Sequence, residues 1–246
     1  MKTTTISILQ DLIAGKKYFS VNGVKAAAKK NHHSLNPATI NQYLYNLKVK
    51  ESLYSAGRGW YSSISQKYEL VTEPINTIQQ RIRARFPLLS FSLWSTRQLQ
   101  PFAHHIMTNF VTFIFTDNDA MLSIANFLEE EGVRSIINPQ KAEAEKYFNV
   151  SSVQIVLRPQ ITREPVEGDC AMIEKILIDL FIEKDRLQLL DGEEYRKIFR
   201  NLIYSQRINM AKLMEYAERR KMERTFLRSV LEAEKESILF KDEAGR

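Results

Sequence analysis

Residues 36–62, NPATINQYLYNLKVKESLYSAGRGWYS, place two different periodicities side by side. Asn36-Pro37 reads as a helix start, a capping amide followed by proline at the first helical position, where a missing N–H costs nothing. Ile40, Leu44 and Leu47 then recur at i, i+4 and i+7, so they share one face and turn inward. Thr39, Asn41, Gln42, Tyr45, Asn46 and Lys48 are left toward solvent. A face chosen for stability alone would carry Glu, Lys and Ala. This one is rich in amides and holds no acidic residue between Asn36 and Lys50. Asn and Gln can bond adenine edges bidentately, while Tyr, Thr and Lys reach phosphates. Two short Tyr-, Trp- and Ser-rich stretches follow, flanking Gly57-Arg58-Gly59, and predict a β-hairpin whose tip projects one cation.

Upstream, Ile6, Leu9, Leu12 and Ile13 keep helical spacing and Gly15 follows as a stop. Residues 17–19 read as extended. Ser20 is a good N-cap for a second helix, with Val24, Ala27 and Ala28 inside and Lys25, Lys29 and Lys30 outside. Three helices followed by a hairpin with a basic tip predict a winged helix-turn-helix over residues 1–68. Its third helix would enter a major groove, and Arg58 would reach a phosphate or the minor groove. Asn36, Thr39, Asn41, Gln42, Tyr45, Asn46, Lys48 and Arg58 are therefore the expected DNA-binding residues. Charge agrees: residues 1–68 hold 10 Lys/Arg against 2 Asp/Glu, whereas residues 86–246 hold 22 against 25. A block of one sign at one end suggests a polyanion-binding module joined to something with another task. The paired His32 and His33 have no Cys or acidic neighbour and read as a solvated turn.

Residues 69–87 read as a linker helix. Pro74 opens it, Ile75, Ile78 and Ile82 share a face, Arg81, Arg83 and Arg85 lie off that face, and Pro87 ends it. Strand and helix patterns then alternate: LLSFSLW (88–94), a short helix over 97–105, FVTFIF (110–115), a helix from Asp117 or Asp119 through Leu128, VRSII (133–137), a helix over 140–148, and VQIVL (153–157). These predict a small α/β sheet over about 88–160. The rest, 161–246, reads as a helical subdomain within one domain spanning 88–246. The overall expectation is an α+β chain. Between Asp169 and Glu183 apolar residues wrap most of a helix, and only a narrow stripe carries Glu174, Lys175 and Asp179. That helix is central to a core. Lys175 and Asp179 form an i, i+4 pair worth a few tenths of a kcal/mol, about 0.3–0.5, if exposed. Arg219-Arg220-Lys221 reads as a solvated helix face.

Composition and motifs narrow the function classes. The chain has 246 residues and one cysteine, Cys170, which excludes a disulfide framework and a cysteine-built zinc site. The first residues lack a signal-peptide apolar run, and no stretch approaches a membrane span, so a cytoplasmic protein is expected. There is no glycine-rich phosphate loop, Gly-x-Ser-x-Gly or His-Glu-x-x-His. Asp117, Asp119, Glu167 and Asp169 could serve a metal-dependent nuclease, but the three aspartates sit at helix starts, where capping explains them. The strand VQIVLRP carries no carboxylate. Cys170 at a helix start could be an activated nucleophile, yet an inert thiol fits better beside the unplaced His104 and His105. No catalysis, metal or cofactor is expected. The alternatives are a winged helix that binds a protein partner and, least favoured, the nuclease.

Phe86-Pro87, SLWST (92–96), NPQ (138–140), IEKILIDLFIEKD (173–185) and INMAKLMEYAERR (208–220) together resemble AbiEi-type antitoxins, transcriptional regulators of bacterial type IV toxin–antitoxin systems. The likeness spans nearly the whole chain. It implies that the winged helix binds repeats in its own operon's promoter and represses it. It further implies that the C-terminal domain counters a cognate nucleotidyltransferase toxin, without a stable complex in the type IV description. Glu174, Lys175 and Asp179 occupy the family's helix motif, although their spacing reads as structural. One winged helix contacts few base pairs, so a homodimer or cooperative binding on repeated half-sites is expected.

Overall fold

A computed structural model describes residues 5–33, 35–104, 109–147 and 155–240. The elements run α1 (Thr5–Ile13), β1 (Tyr18–Ser20), α2 (Val21–Lys30), α3 (Pro37–Val49), β2 (Tyr54–Ser55), β3 (Trp60–Ser62), α4 (Asn76–Arg85) and β4 (Phe91–Ser95). A 3-10 stretch, Thr96–Phe102, leads to β5 (Thr112–Thr116), α5 (Asn118–Glu130), β6 (Ser135–Ile137), α6 (Lys141–Tyr147) and β7 (Ile155–Pro159). Then come β8 (Val166–Glu167), β9 (Cys170–Ala171), α7 (Ile173–Arg186), α8 (Gly192–Ser205), α9 (Met210–Arg219), α10 (Glu223–Phe226) and β10 (Ile238–Leu239). The expected element ends at His105, Phe148, Val153 and Gln154 lie outside the described residues. Among the described residues no helix is long and apolar enough to cross a membrane.

The fold is mixed α/β with two mixed sheets, in two units: Met1–Tyr68 with Leu202–Arg246, and Glu69–Asn201. The sequence reading placed 161–246 in one helical subdomain and 69–87 in a linker, and the structure groups them differently. Ile75 and Ile82 belong to the core of the second unit. The segment from Leu202 onward groups with the first, because strand pairing and buried tyrosine bonds tie it there.

In the first unit Leu9, Phe19, Val24, Ile40, Leu44 and Leu53 form the core. The helix boundaries have the local causes read from sequence: Ser20 Oγ accepts from Gly23 N at 2.8 Å, and Asn36 Oδ1 accepts from Ala38 N at 2.8 Å with Pro37 at the first turn. The sheet order is β10-β1-β3-β2. β3 runs antiparallel to β1 and to β2, with Phe19 opposite Tyr61 and their rings stacked at 5.8 Å. β10 adds parallel to β1, and Lys17 N donates to Ser237 O at 2.7 Å. Tyr18 is fully buried; its hydroxyl donates to Gln206 O at 2.7 Å and accepts from Ile208 N at 3.0 Å. The hairpin turn rests on the start of α9. At Gly57, with φ +104, a Cβ would lie 2.1 Å from Asn209 Oδ1 and 2.6 Å from Ala211 Cβ, so only glycine fits.

The second unit is built on a six-stranded sheet ordered β6-β7-β5-β4-β9-β8. β6, β7 and β5 are parallel, β4 is antiparallel to β5, β9 parallel to β4, and β8 antiparallel to β9. The β8–β9 hairpin has no counterpart in the sequence reading, because two-residue strands carry no alternation. One sheet face, with Phe91, Leu93, Ile114, Ile155 and Leu157, packs with Ile82 of α4 and Met121, Ile124 and Leu128 of α5. Alternation sends Trp94, Phe113, Phe115, Val156 and Arg158 to the other face, where Lys175 and Glu183 of α7 meet Phe115 and Arg158. Burial on both faces explains why FVTFIF, around β5, reads as a continuous apolar run. α7 is buried from Ile173 through Lys184, and Tyr195 of α8 donates to Leu177 O at 2.9 Å.

Candidate nucleic-acid interface

Two sets of polar side chains stand out, and they are placed in opposite ways. The first is on α3. Ile40 and Leu44 are fully buried, and Tyr43 and Leu47 are half-buried beside them. Burial pushes the Tyr43 hydroxyl above its ordinary value, against a hydrogen bond with Gln10 that lowers it. The opposite face is open along its length: Thr39, Asn41, Gln42, Tyr45, Asn46 and Lys48 are all exposed, as are Asn36 at the start and Arg58 on the hairpin tip. Among the described residues of its own unit, nothing covers this face. Gln42 Nε2 donates to Asn46 Oδ1 at 3.0 Å, which holds both amides in register one turn apart. Asn36 is exposed like the rest of the expected set, and its side-chain oxygen also caps the helix. Lys29 and Lys30 of α2 and Lys50 after α3 are exposed cations of the same unit. The whole unit carries 20 Lys/Arg against 10 Asp/Glu, and the other unit 15 against 19.

The second set lies on α7. Lys175, Asp179 and Glu183 recur every four residues, and all three are fully buried. Lys175 Nζ sits 2.7 Å from Asp179 Oδ2, 3.3 Å from Glu164 Oε2 and 3.3 Å from the centre of the Phe115 ring. Glu164 in turn accepts from Ser92 Oγ at 2.9 Å and from Ile161 N at 3.0 Å. Arg158, also buried, pairs with Glu183 and donates to Asn138 Oδ1 at 3.1 Å and Pro139 O at 2.7 Å. Burial raises the Glu183 carboxyl, and Arg158 and Arg186 only partly offset it. These charges face one another, not solvent. The value that spacing gives the Lys175–Asp179 pair holds only if it is exposed, and both residues are buried. The informative signal was the apolar wrapping of α7, which leaves no wet face for a charge and so requires partners inside.

Other residues singled out from the sequence separate in the structure. Asp117 occupies the N-cap position of α5 without a side-chain cap bond, and its Oδ1 accepts from Gln160 Nε2 at 2.8 Å. Asp119 lies exposed in the first turn of the same helix. Asp169 does not begin a helix: it lies in the β8–β9 turn, held by the guanidinium of Arg83. Capping therefore explains neither Asp117 nor Asp169. Arg83 itself also covers the Phe91 ring at 4.7 Å. Glu167 is exposed on β8. Among the described residues no group of three His, Cys, Asp or Glu could hold a metal ion. Cys170 is buried on β9 rather than at a helix start. Burial pushes its thiol up, and Asp169 and Glu167 add to that, the opposite of what an activated nucleophile needs. Arg220 is half-buried against Tyr216, while Arg219 and Lys221 are exposed.

The profile of one protein family, described as "Family of unknown function (DUF6577)", matches residues 39–236. No curated protein matches the chain.

Proposed function

The chain belongs to the DUF6577 family, whose function is unknown, and from the geometry of its own residues we propose that it is a transcriptional regulator whose first unit is a DNA-binding winged helix-turn-helix. The observation that carries this reading is the open face of α3, with amides at Asn41, Gln42 and Asn46, cations at its rim, and no carboxylate from Asn36 to Lys50. The order α1, β1, α2, α3, β2, β3 and the exposed Arg58 on the hairpin tip support it. In this reading α3 lies in the major groove, with Gln42 and its amide neighbours at base edges. Thr39, Lys48 and Arg58 contact phosphates and set the register.

The resemblance to AbiEi-type antitoxins extends the proposal to biology. The promoter bound is that of the protein's own operon, and the second unit counters a nucleotidyltransferase toxin encoded beside it. Catalysis has no part in this role, and duplex DNA as ligand places the protein in the cytoplasm. The test is titration of the adjacent promoter duplex at physiological salt, against random duplex of equal length. Specific binding is expected to exceed non-specific binding by roughly a thousandfold or more. Equal affinity for both duplexes would end the proposal. A second reading, a protein-interaction module, draws on the exposed Tyr45 of the same face. Binding that survives high salt and needs Tyr45 more than Lys48 would favour it.

A further inference from the structure

Stepping about 100° per residue along α3, Ala38, Gln42, Tyr45 and Val49 fall on the ridge diametrically opposite the buried Ile40 and Leu44. Tyr45 is 59% exposed and Val49 64%. A β-branched residue at an open helical position is favoured neither by helix propensity nor by burial. A single exposed apolar residue needs no explanation, but these two are adjacent, one turn apart, beside an amide whose orientation is fixed by its bond to Asn46. The ridge holds no Lys or Arg, whose paired donors are what reads guanine. Lys48 lies at its flank.

We infer that this face, taken as the DNA-contacting face proposed above, is built for A·T pairs. Gln42 bonds the N6–N7 edge of an adenine, and Tyr45 and Val49 pack on the C5-methyl groups of thymines. The seven steps from Gln42 to Val49 span about 10 Å at 1.5 Å each, close to three base-pair steps at 3.4 Å. The apolar and amide positions therefore serve different pairs of one short site. An excess of cations over the unit fits a polyanion better than an apolar protein groove.

The test selects bound sequences from a random duplex library, then remakes the selected duplex with deoxyuridine for thymidine, which removes the methyl group and leaves every hydrogen-bonding edge intact. The selection should return A·T-rich steps. The deoxyuridine duplex should bind about fourfold more weakly per buried methyl, the worth of one such group. Val49→Ala and the near-isosteric Val49→Thr should weaken the thymidine complex and blunt its response to the swap, with melting temperature unchanged. Duplex binding that prefers G·C steps, or that ignores the swap in the wild-type protein, overturns this inference and leaves DNA binding standing. No duplex binding at all overturns the reading beneath it. So does self-association of the free protein, in sedimentation, that is lost in Tyr45→Ala.

Discussion

α3 and α7 are helices of similar length that solve opposite problems with the same residue classes. α3 hides a narrow apolar edge and gives most of the rest of its surface to amides, Thr39, Tyr45 and Lys48. From Ile173 through Lys184 α7 has no wet side: Lys175 and Glu183 are buried and matched against Glu164 and Arg158 from other elements. A polar side chain on α3 is free to exchange water for a ligand and contributes little to folding. A charge on α7 has already lost its water, so its partner becomes part of the fold. A lysine is thus exposed to water on α3, at Lys48, and a core component on α7, at Lys175.

The largest effect expected from this contrast is on stability. Asp179→Ala removes the carboxylate 2.7 Å from the Lys175 ammonium, which stays buried beside Phe115. It should lower the unfolding free energy by roughly 3–5 kcal/mol, measured by urea denaturation. Replacing both, Lys175→Met with Asp179→Leu, removes the desolvation cost together with the attraction and should recover much of that loss. No such pairing holds for α3, where Gln42→Ala should stay within about 0.5 kcal/mol of wild type. Comparable losses at Asp179 and Gln42 would erase the distinction.

A pH series sharpens it. Burial, more than any neighbour, lifts the Glu183 carboxyl above its ordinary value of 4.5. An acid that holds its proton more tightly when folded stabilises the fold below the unfolded value, and this contribution is lost as pH rises through the raised folded value. Stability owed to Glu183 should therefore fall as pH climbs above 4.5. Glu183→Gln, which cannot titrate, should flatten the profile of unfolding free energy in that window. An unchanged slope would show that burial does not govern this carboxyl.

How far each region could be read from sequence follows from the same physics. Around α3 every signal was local. The Asn36-Pro37 cap, the Ile40-Leu44-Leu47 edge and the glycine-flanked Arg58 lie within a short stretch and agree with one another. α7 was legible as a core helix because apolar residues surround it, but the partners of Lys175, Asp179 and Glu183 were not. Glu164 and Arg158 come from segments whose placement depends on strand order. The β8–β9 hairpin was invisible because its two-residue strands carry no alternation, and it moved Cys170 and Asp169 away from the helix start that periodicity suggested. The return of β10 to β1 joins residues over 200 positions apart, and no pattern in either segment announces it.

On the α3 side the next effect in size concerns base preference. Gln42→Ala should lose about 1–3 kcal/mol of discrimination between the selected site and one altered at a single adenine, with little change in affinity for random duplex. The smallest expected change tests the hairpin. Arg58 is exposed, and the turn beside it rests on Asn209 and Ala211, so the cation is presented from a supported base. A phosphate contact of that kind carries no sequence information. Arg58→Ala should weaken binding to all duplexes alike and reduce the slope of log K against log salt by about 0.9, one counterion's worth. The two variants must therefore separate: specificity lost at constant salt slope for Gln42, salt slope lost at constant specificity for Arg58. If both shift the same quantity, α3 and the hairpin do not divide base and backbone between them, and the groove assignment built on the open face of α3 fails with that division.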